Sequence, residues 1–190
     1  MSTRRAFIKK SAIGAAALAA LPKTAMANIM TNPKDSDLKI SLAQWSLHRA
    51  LEKREIKAVD FAKIAKNDYD INAVEYVNQF YVDMASSSKF WSRMKQRADD
   101  EGVKSLLMMV DNEGELGYPG DSQRKTAVEN HYKWIDAAKI LGCHSIRVNA
   151  FGKGTKRELH SALIDGLGSL TEYGEKQNIN VLVIWIGLIP

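Results

Sequence analysis

The sequence predicts an α/β protein built on parallel strands, and three observations carry that expectation. From Leu38 onward, short apolar or β-branched runs alternate with amphipathic helical stretches, the pattern of repeated strand–helix–strand units. The runs begin at Lys39, Ala73, Ser105, Ser145 and Asn180, and each interval holds one strand, one helix and two loops, enough for a right-handed crossover. Helix start and stop residues fall between the runs, where that alternation needs them.

Taken in order, the first strand is expected over Lys39–Ala43, followed by the loop Gln44-Trp45-Ser46-Leu47-His48. A short helix is expected around Val59–Lys66, then a second strand, Ala73–Val77. The serines Ser86 to Ser88 open another helix, in which Phe90, Trp91, Met94 and Ala98 share a face until Gly102. A third strand over Ser105–Val110 leads into the turn-rich stretch Asp111–Gly120. Between Asp121 and Leu141, Ala127, Trp134, Ile135, Ala138 and Leu141 form an apolar stripe that Gly142 ends as a C-cap would. After a fourth strand, Ser145–Val148, Thr155 and Glu158 have the spacing of a capping box. Leu159, Leu163, Leu167, Leu170 and Tyr173 follow on one helix face, and a fifth strand runs Asn180–Trp185. Two architectures accommodate these elements. A five-stranded doubly wound sheet would be complete at this length, whereas a (β/α)8 barrel needs about 250 residues and would be partial. The first strand-to-helix loop has no glycine, which counts against a phosphate-cradling nucleotide turn.

Charge sorts the chain into two parts. The 190 residues carry 27 Lys plus Arg against 22 Asp plus Glu, a formal net charge of +5. All of that excess lies in residues 1–27, which hold Arg4, Arg5, Lys9, Lys10 and Lys23 and no acid. The rest is balanced, with no electrostatic footprint for a polyanion, so a nucleic-acid partner is not expected. Within residues 1–27, Arg4-Arg5 with Phe7 and Lys9, the run Ala12 to Leu21 and Ala25-Met26-Ala27 make a charged region, a weak apolar region and a small-residue cleavage site. This resembles a twin-arginine export signal. Cleavage after Ala27 would leave residues 28–190 in the periplasm or outside the cell. The apolar run is well short of the ~20 residues that span a bilayer. Cys143 is the single cysteine, so no internal disulfide forms.

Both architectures gather functional groups at the C-terminal ends of the strands. Those places hold Gln44, Trp45 and His48 after the first strand, Glu75 and Asn78 in and after the second, and Asn149 after the fourth. Amides and carboxylates beside an indole face suit a polyhydroxylated ligand. Glu75 sits between Val74 and Tyr76 in an apolar strand, where a carboxylate must be paired, metal-bound or at a wet mouth. Asp111 and Glu113 read as solvated loop charges, and Gly152 and Gly154 as a weak anion nest. His131 and His160 fall in helices, and Cys143-His144 in a turn at the far end from the mouth. No serine elbow or paired-cysteine zinc motif is present.

Ile40-Ser41-Leu42-Ala43-Gln44-Trp45-Ser46-Leu47, then Ala73-Val74-Glu75-Tyr76-Val77, then Ala138-Lys139-Ile140-Leu141-Gly142-Cys143 leading into Ile146-Arg147-Val148-Asn149, resemble in order and spacing the sugar phosphate isomerase/epimerase family of xylose isomerase-like barrels. The resemblance covers Leu38 to about Val183. It implies a metal-dependent isomerase or epimerase acting on a small sugar or sugar phosphate, with a divalent Mn, Mg, Co or Zn held by carboxylates and a histidine from strands five to eight. The resemblance also sets where the sequence departs. The fifth strand of the family runs into a metal-binding glutamate, and here that position is Ile184, in Val183-Ile184-Trp185-Ile186-Gly187-Leu188-Ile189-Pro190. No metal ligand is therefore assignable, and the expectation is a truncated, inactive product of a longer protein. Two other readings stay open: a non-catalytic exported carbohydrate-binding domain, and a chain completed by strands from another subunit.

Overall fold

The computed structural model describes residues 39–184. The expected export signal and Trp185 lie outside them. Five parallel strands, β1 (Leu42–Ala43), β2 (Ala73–Val77), β3 (Lys104–Met109), β4 (Ser145–Asn149) and β5 (Asn180–Ile184), form one sheet in the order β1-β2-β3-β4-β5. The α-helices are α1 (His48–Glu52), α2 (Phe61–Tyr69), α3 (Ser88–Asp100), α4 (Asp121–Leu141) and α5 (Lys156–Gln177). Short 3-10 turns occupy Gln44–Leu47, Ala58–Asp60 and Asn78–Met84.

The strand order decides between the two architectures. A doubly wound sheet reverses direction where later strands join the other side of the first. Each strand here pairs in parallel with the next one in sequence, so the sheet winds one way only and the doubly wound alternative is excluded. Strand β1 is shorter than expected, because its ladder reaches only from Leu42 and Ala43 to Val74 and Glu75. The pairing of β2 with β3 shifts between Val74 and Glu75, which leaves Leu106 as the extra residue of a bulge.

Local chemistry sets the helix ends. The Thr155 hydroxyl accepts from the Glu158 amide at 3.3 Å, and the Glu158 carboxylate accepts from the Thr155 amide at 2.8 Å, closing the capping box of α5. The hydrogen bonds that this carboxylate accepts from the Thr155 amide and hydroxyl lower the Glu158 pKa from its ordinary value. Ser87 caps α3 by accepting from the Phe90 amide. Helix α4 ends at Gly142, at φ 79°, where a left-handed residue releases the chain into β4. The same role falls to Asp70 after α2 and Asn178 after α5.

The helices pack on one face of the sheet. Val74, Tyr76, Met108, Ile146 and Val148 point to that side and bury against Phe61, Trp91, Met94, Trp134, Ile135 and Leu141. Trp91 stands edge-on to Trp134 at 6.2 Å and to Tyr81 at 5.3 Å, and Tyr76 edge-on to Phe61 at 5.8 Å. Each fully buried side chain of this kind contributes roughly 1.5–3 kcal/mol, so this layer fixes the strands. Alternation then sends Val77, Met109, Arg147 and Asn149 to the opposite, concave face. Leu182 and Ile184 on β5 stay more than 40% exposed, apolar side chains on the last strand of the sheet among the described residues.

Candidate functional site at the C-terminal ends of the strands

Because all five strands are parallel, their C-terminal ends share one rim, and an open hollow of about 840 Å³ lies there. At its centre is Asp111, just past β3. Its Oδ1 accepts from Arg147 Nη1 at 3.0 Å and from Asn149 Nδ2 at 2.5 Å. Arg147 Nη1 also donates to Asn149 Oδ1 at 3.0 Å, so three side chains from two strand ends close a ring. Gln79 Nε2 reaches Asp111 Oδ2 at 3.4 Å. The Arg147 and Asp111 side chains are 16% and 22% exposed, so the pair is partly dehydrated and attracts more strongly than a fully solvated one.

This arrangement corrects the reading of Asp111 and Glu113 as solvated loop charges. Asp111 is the hub of the mouth. Glu113, two residues on, turns to α4, where it accepts from Lys133 Nζ at 2.7 Å and from Trp134 Nε1 at 2.6 Å; its role is to seat the loop on the helix.

Of the six residues expected to bind a ligand, Trp45 and Asn149 line the hollow. The Trp45 ring is 44% exposed and lies parallel to the His48 imidazole, with centroids 4.7 Å apart and planes 9° apart. His48 Nδ1 lies 2.7 Å from the Trp45 carbonyl oxygen, which keeps the imidazole under the indole. Phe80 flanks the indole at 6.3 Å. The other three are not among the residues that line the hollow. Gln44 is fully buried and spends its amide on the Tyr81 hydroxyl and the Val77 amide. Asn78 spends its own on both backbone groups of Asp111. Glu75 accepts from Ser41 Oγ at 2.6 Å, a pairing that accounts for a carboxylate in an apolar strand.

Sequence reasoning missed Arg147, Gln79 and Glu115. Arg147 had a visible signal, because it is two residues from Asn149 on β4 and so shares its face. Glu115 lines the hollow, and among the described residues no hydrogen-bond donor reaches its buried Oε2.

The wall carrying Asp111 and Glu115 is held from behind. Leu116 is buried, and Gly117 pairs with Gly152 across the two loops. A Cβ on Gly152 would lie 2.2 Å from the Gly117 carbonyl oxygen, so this glycine serves close backbone approach rather than an anion nest. Arg124 donates from Nε to Asp165 at 2.6 Å, from Nη2 to Asp121 at 2.7 Å and from Nη1 to the Tyr118 carbonyl at 2.8 Å. The hydrogen bond to Asp165, then that to Asp121, pushes the guanidinium further toward its charged form.

Cys143 is buried at the other end of β4, and burial pushes its thiol up to about 12, so it is not a nucleophile. Among the described residues no group of three His, Cys, Asp or Glu side chains is placed to hold a metal ion. The position of the expected carboxylate is a hydrocarbon, Ile184, in register with Asn149. The described residues do not fit the metal that the sequence resemblance implies. No helix among them is long and apolar enough to cross a membrane.

No protein-family model matches the chain, and no curated protein matches it. Solved structures do. A sugar phosphate isomerase/epimerase from Parabacteroides distasonis aligns at TM-score 0.56 and 14% identity, over 81% of this chain and 53% of its own. The IolI protein with a bound zinc atom aligns at TM-score 0.62 and 10% identity, over 79% and 52%. The 3-keto-D-glucoside 4-epimerase of E. coli aligns at TM-score 0.55 and 12% identity, over 67% and 50%. The fold is a partial (β/α)8 barrel. This chain spans about half the length of the barrels it resembles. Its one-way strand order and its helices on the convex face are those of such a barrel.

Proposed function

We propose that this partial barrel is of the sugar isomerase/epimerase type and binds a small sugar at its mouth, and that the residues described do not carry metal-dependent isomerisation. The observation that carries the reading is the meeting, in one hollow, of a half-exposed indole with the Asp111–Arg147–Asn149 ring. An indole face takes the apolar side of a pyranose or ketose, while a carboxylate, a guanidinium and an amide exchange hydrogen bonds with its hydroxyls. The solved structures named as sugar isomerases and epimerases support the choice of ligand class.

In this reading the ring orients and Trp45 stacks. Asp111 Oδ2, whose contact with Gln79 is long at 3.4 Å, accepts a hydrogen bond from a ligand hydroxyl. Arg147 holds the Asp111 carboxylate in place through their 3.0 Å hydrogen bond, and His48 holds the indole flat to the ligand. No proton transfer to carbon is assigned, since Ile184 stands where a metal-binding carboxylate would be needed.

Titrating the purified full chain with an aldose and a ketose, with fluorescence as the readout and Trp45→Ala as control, tests the proposal. Saturable quenching that Trp45→Ala abolishes and that a chelator leaves unchanged is expected, with no aldose–ketose turnover in added Mn²⁺. Absence of binding, or turnover that depends on the metal, overturns it. Residues 1–27 are proposed to direct export by the twin-arginine route. The paired Arg4-Arg5 and Ala25-Met26-Ala27 support this, and N-terminal sequencing of exported protein should begin at Asn28.

A further inference from the structure

We infer that the mouth continues into a second, apolar subsite over Phe80, Val82 and Met84, and that its ligand is a glycoside whose sugar stacks on Trp45 while an apolar aglycone fills that subsite. The inference rests on the reading of the first hollow as a sugar site and adds what the sugar carries. An open hollow of about 450 Å³ lies against the 3-10 turn Asn78–Met84, on the same rim as the first because that turn follows β2. The two meet at Gln79, which lines both. They meet again through aromatic rings, since Trp45 lines the first, Phe80 lines the second, and the ring centroids are 6.3 Å apart.

The chemistry changes across that boundary. The first hollow holds the Asp111–Arg147–Asn149 ring, whereas Val59, Phe80, Val82, Met84 and Phe90 line the second. Val82 and Met84 are 60% and 44% exposed. Single exposed apolar side chains are ordinary, but these two share one hollow with two phenylalanines and a valine, a concentration that hydrocarbon on a ligand would cover. The charged side chains there are Lys57 and Asp83, one of each sign, which gives no preference for an ionic substituent. The occupant is therefore neutral and apolar, and Gln79 sets where it joins the sugar. Among the described residues the Gln79 amide makes one long contact, 3.4 Å to Asp111 Oδ2, so it has a donor left for the oxygen that bridges sugar and aglycone.

The subsite stands on a fixed base. Tyr81, between Phe80 and Val82, is buried; its hydroxyl accepts from Gln44 Nε2 at 2.8 Å and donates to the Ala58 carbonyl oxygen at 2.9 Å. Those bonds tie the turn to the residue after β1 and to the segment before α2, so its neighbours are presented by a held backbone.

Calorimetric titration of the full chain with methyl and phenyl β-D-glucopyranoside tests the inference, because the two differ only in the aglycone. The phenyl compound should bind at least about tenfold more tightly, the gain from covering one ring's hydrocarbon. Val82→Ser combined with Met84→Ser should narrow that preference at least about threefold, the loss falling on the phenyl compound, because the serines remove hydrocarbon from the subsite. Ile164→Ser, an exposed position on α5 that lines neither hollow, is the control and should leave the preference unchanged. Trp45→Ala should weaken both glucosides. Equal binding of the two glucosides, or a preference untouched by the double substitution, overturns the inference and leaves the sugar site standing. Binding of neither, or binding that Trp45→Ala leaves intact, overturns the sugar site itself.

Discussion

Asn78 grips the backbone of Asp111 from both sides. Its Nδ2 donates to the Asp111 carbonyl oxygen at 2.9 Å, and its Oδ1 accepts from the Asp111 amide at 3.0 Å. The two residues follow β2 and β3, so this amide continues the sheet's hydrogen bonding one step beyond the strands. It holds the backbone from which the Asp111 carboxylate reaches Arg147 and Asn149. Because Asn78 is buried, removing the amide leaves two backbone groups unpartnered away from water. Asn78→Ala should therefore cost about 2–3 kcal/mol, two hydrogen bonds plus the desolvation left behind. Urea unfolding should show a lower midpoint at unchanged slope, and ligand affinity at the mouth should fall in the material that remains folded. An Asn78→Ala protein with wild-type midpoint would show that the clamp is idle.

Two glycines should respond to alanine in opposite directions. At Gly152 the new methyl would meet the Gly117 carbonyl oxygen at 2.2 Å and its carbon at 2.5 Å. Backbone must give way there, so the two loops part and Gly152→Ala should cost about 1–3 kcal/mol. At Gly168, in the exposed middle of α5, nothing lies within 4 Å of the added carbon. Gly168→Ala should stabilise the protein by about 0.5–1 kcal/mol through helix propensity alone. Paired thermal melts read both signs, and a destabilising Gly168→Ala would mean that this face of α5 is covered.

Those contrasts also show what the sequence could and could not disclose. Helix α5 was legible because its leucine spacing and the Thr155–Glu158 box are local, and the box is formed. The one-way strand order was not, since it rests on pairings between residues more than thirty apart. At the mouth, Trp45 and Asn149 were legible from their places after strands. Gln44 and Asn78 have the same residue chemistry and the same kind of place, yet their amides are spent on Tyr81, Val77 and the backbone of Asp111. Asp111 and Glu113 share one loop, and what separates their roles is the arrival of Lys133 and Trp134 from α4 and of Arg147 from β4. Partners of that kind are set by packing and leave no local pattern.

Stability should also fall on mild acidification, because of His131. This histidine is buried in α4, its Nδ1 is 2.7 Å from the Ala127 carbonyl oxygen, and burial lowers its pKa from the ordinary 6.5. Glu113 nearby favours the protonated ring and Lys133 disfavours it, but neither outweighs the loss of water. The sign follows from linkage: between the folded pKa and 6.5 the unfolded chain holds more protons than the folded one, so stability rises with pH across that window. It is fully present above about pH 6.5 and is lost as pH falls toward the folded value. The wild-type urea midpoint should therefore drop between pH 7 and pH 5. His131→Leu removes the titrating ring and should flatten that drop, whatever it does to the midpoint at pH 7. Parallel pH profiles for the two proteins would instead show that the buried imidazole protonates without cost.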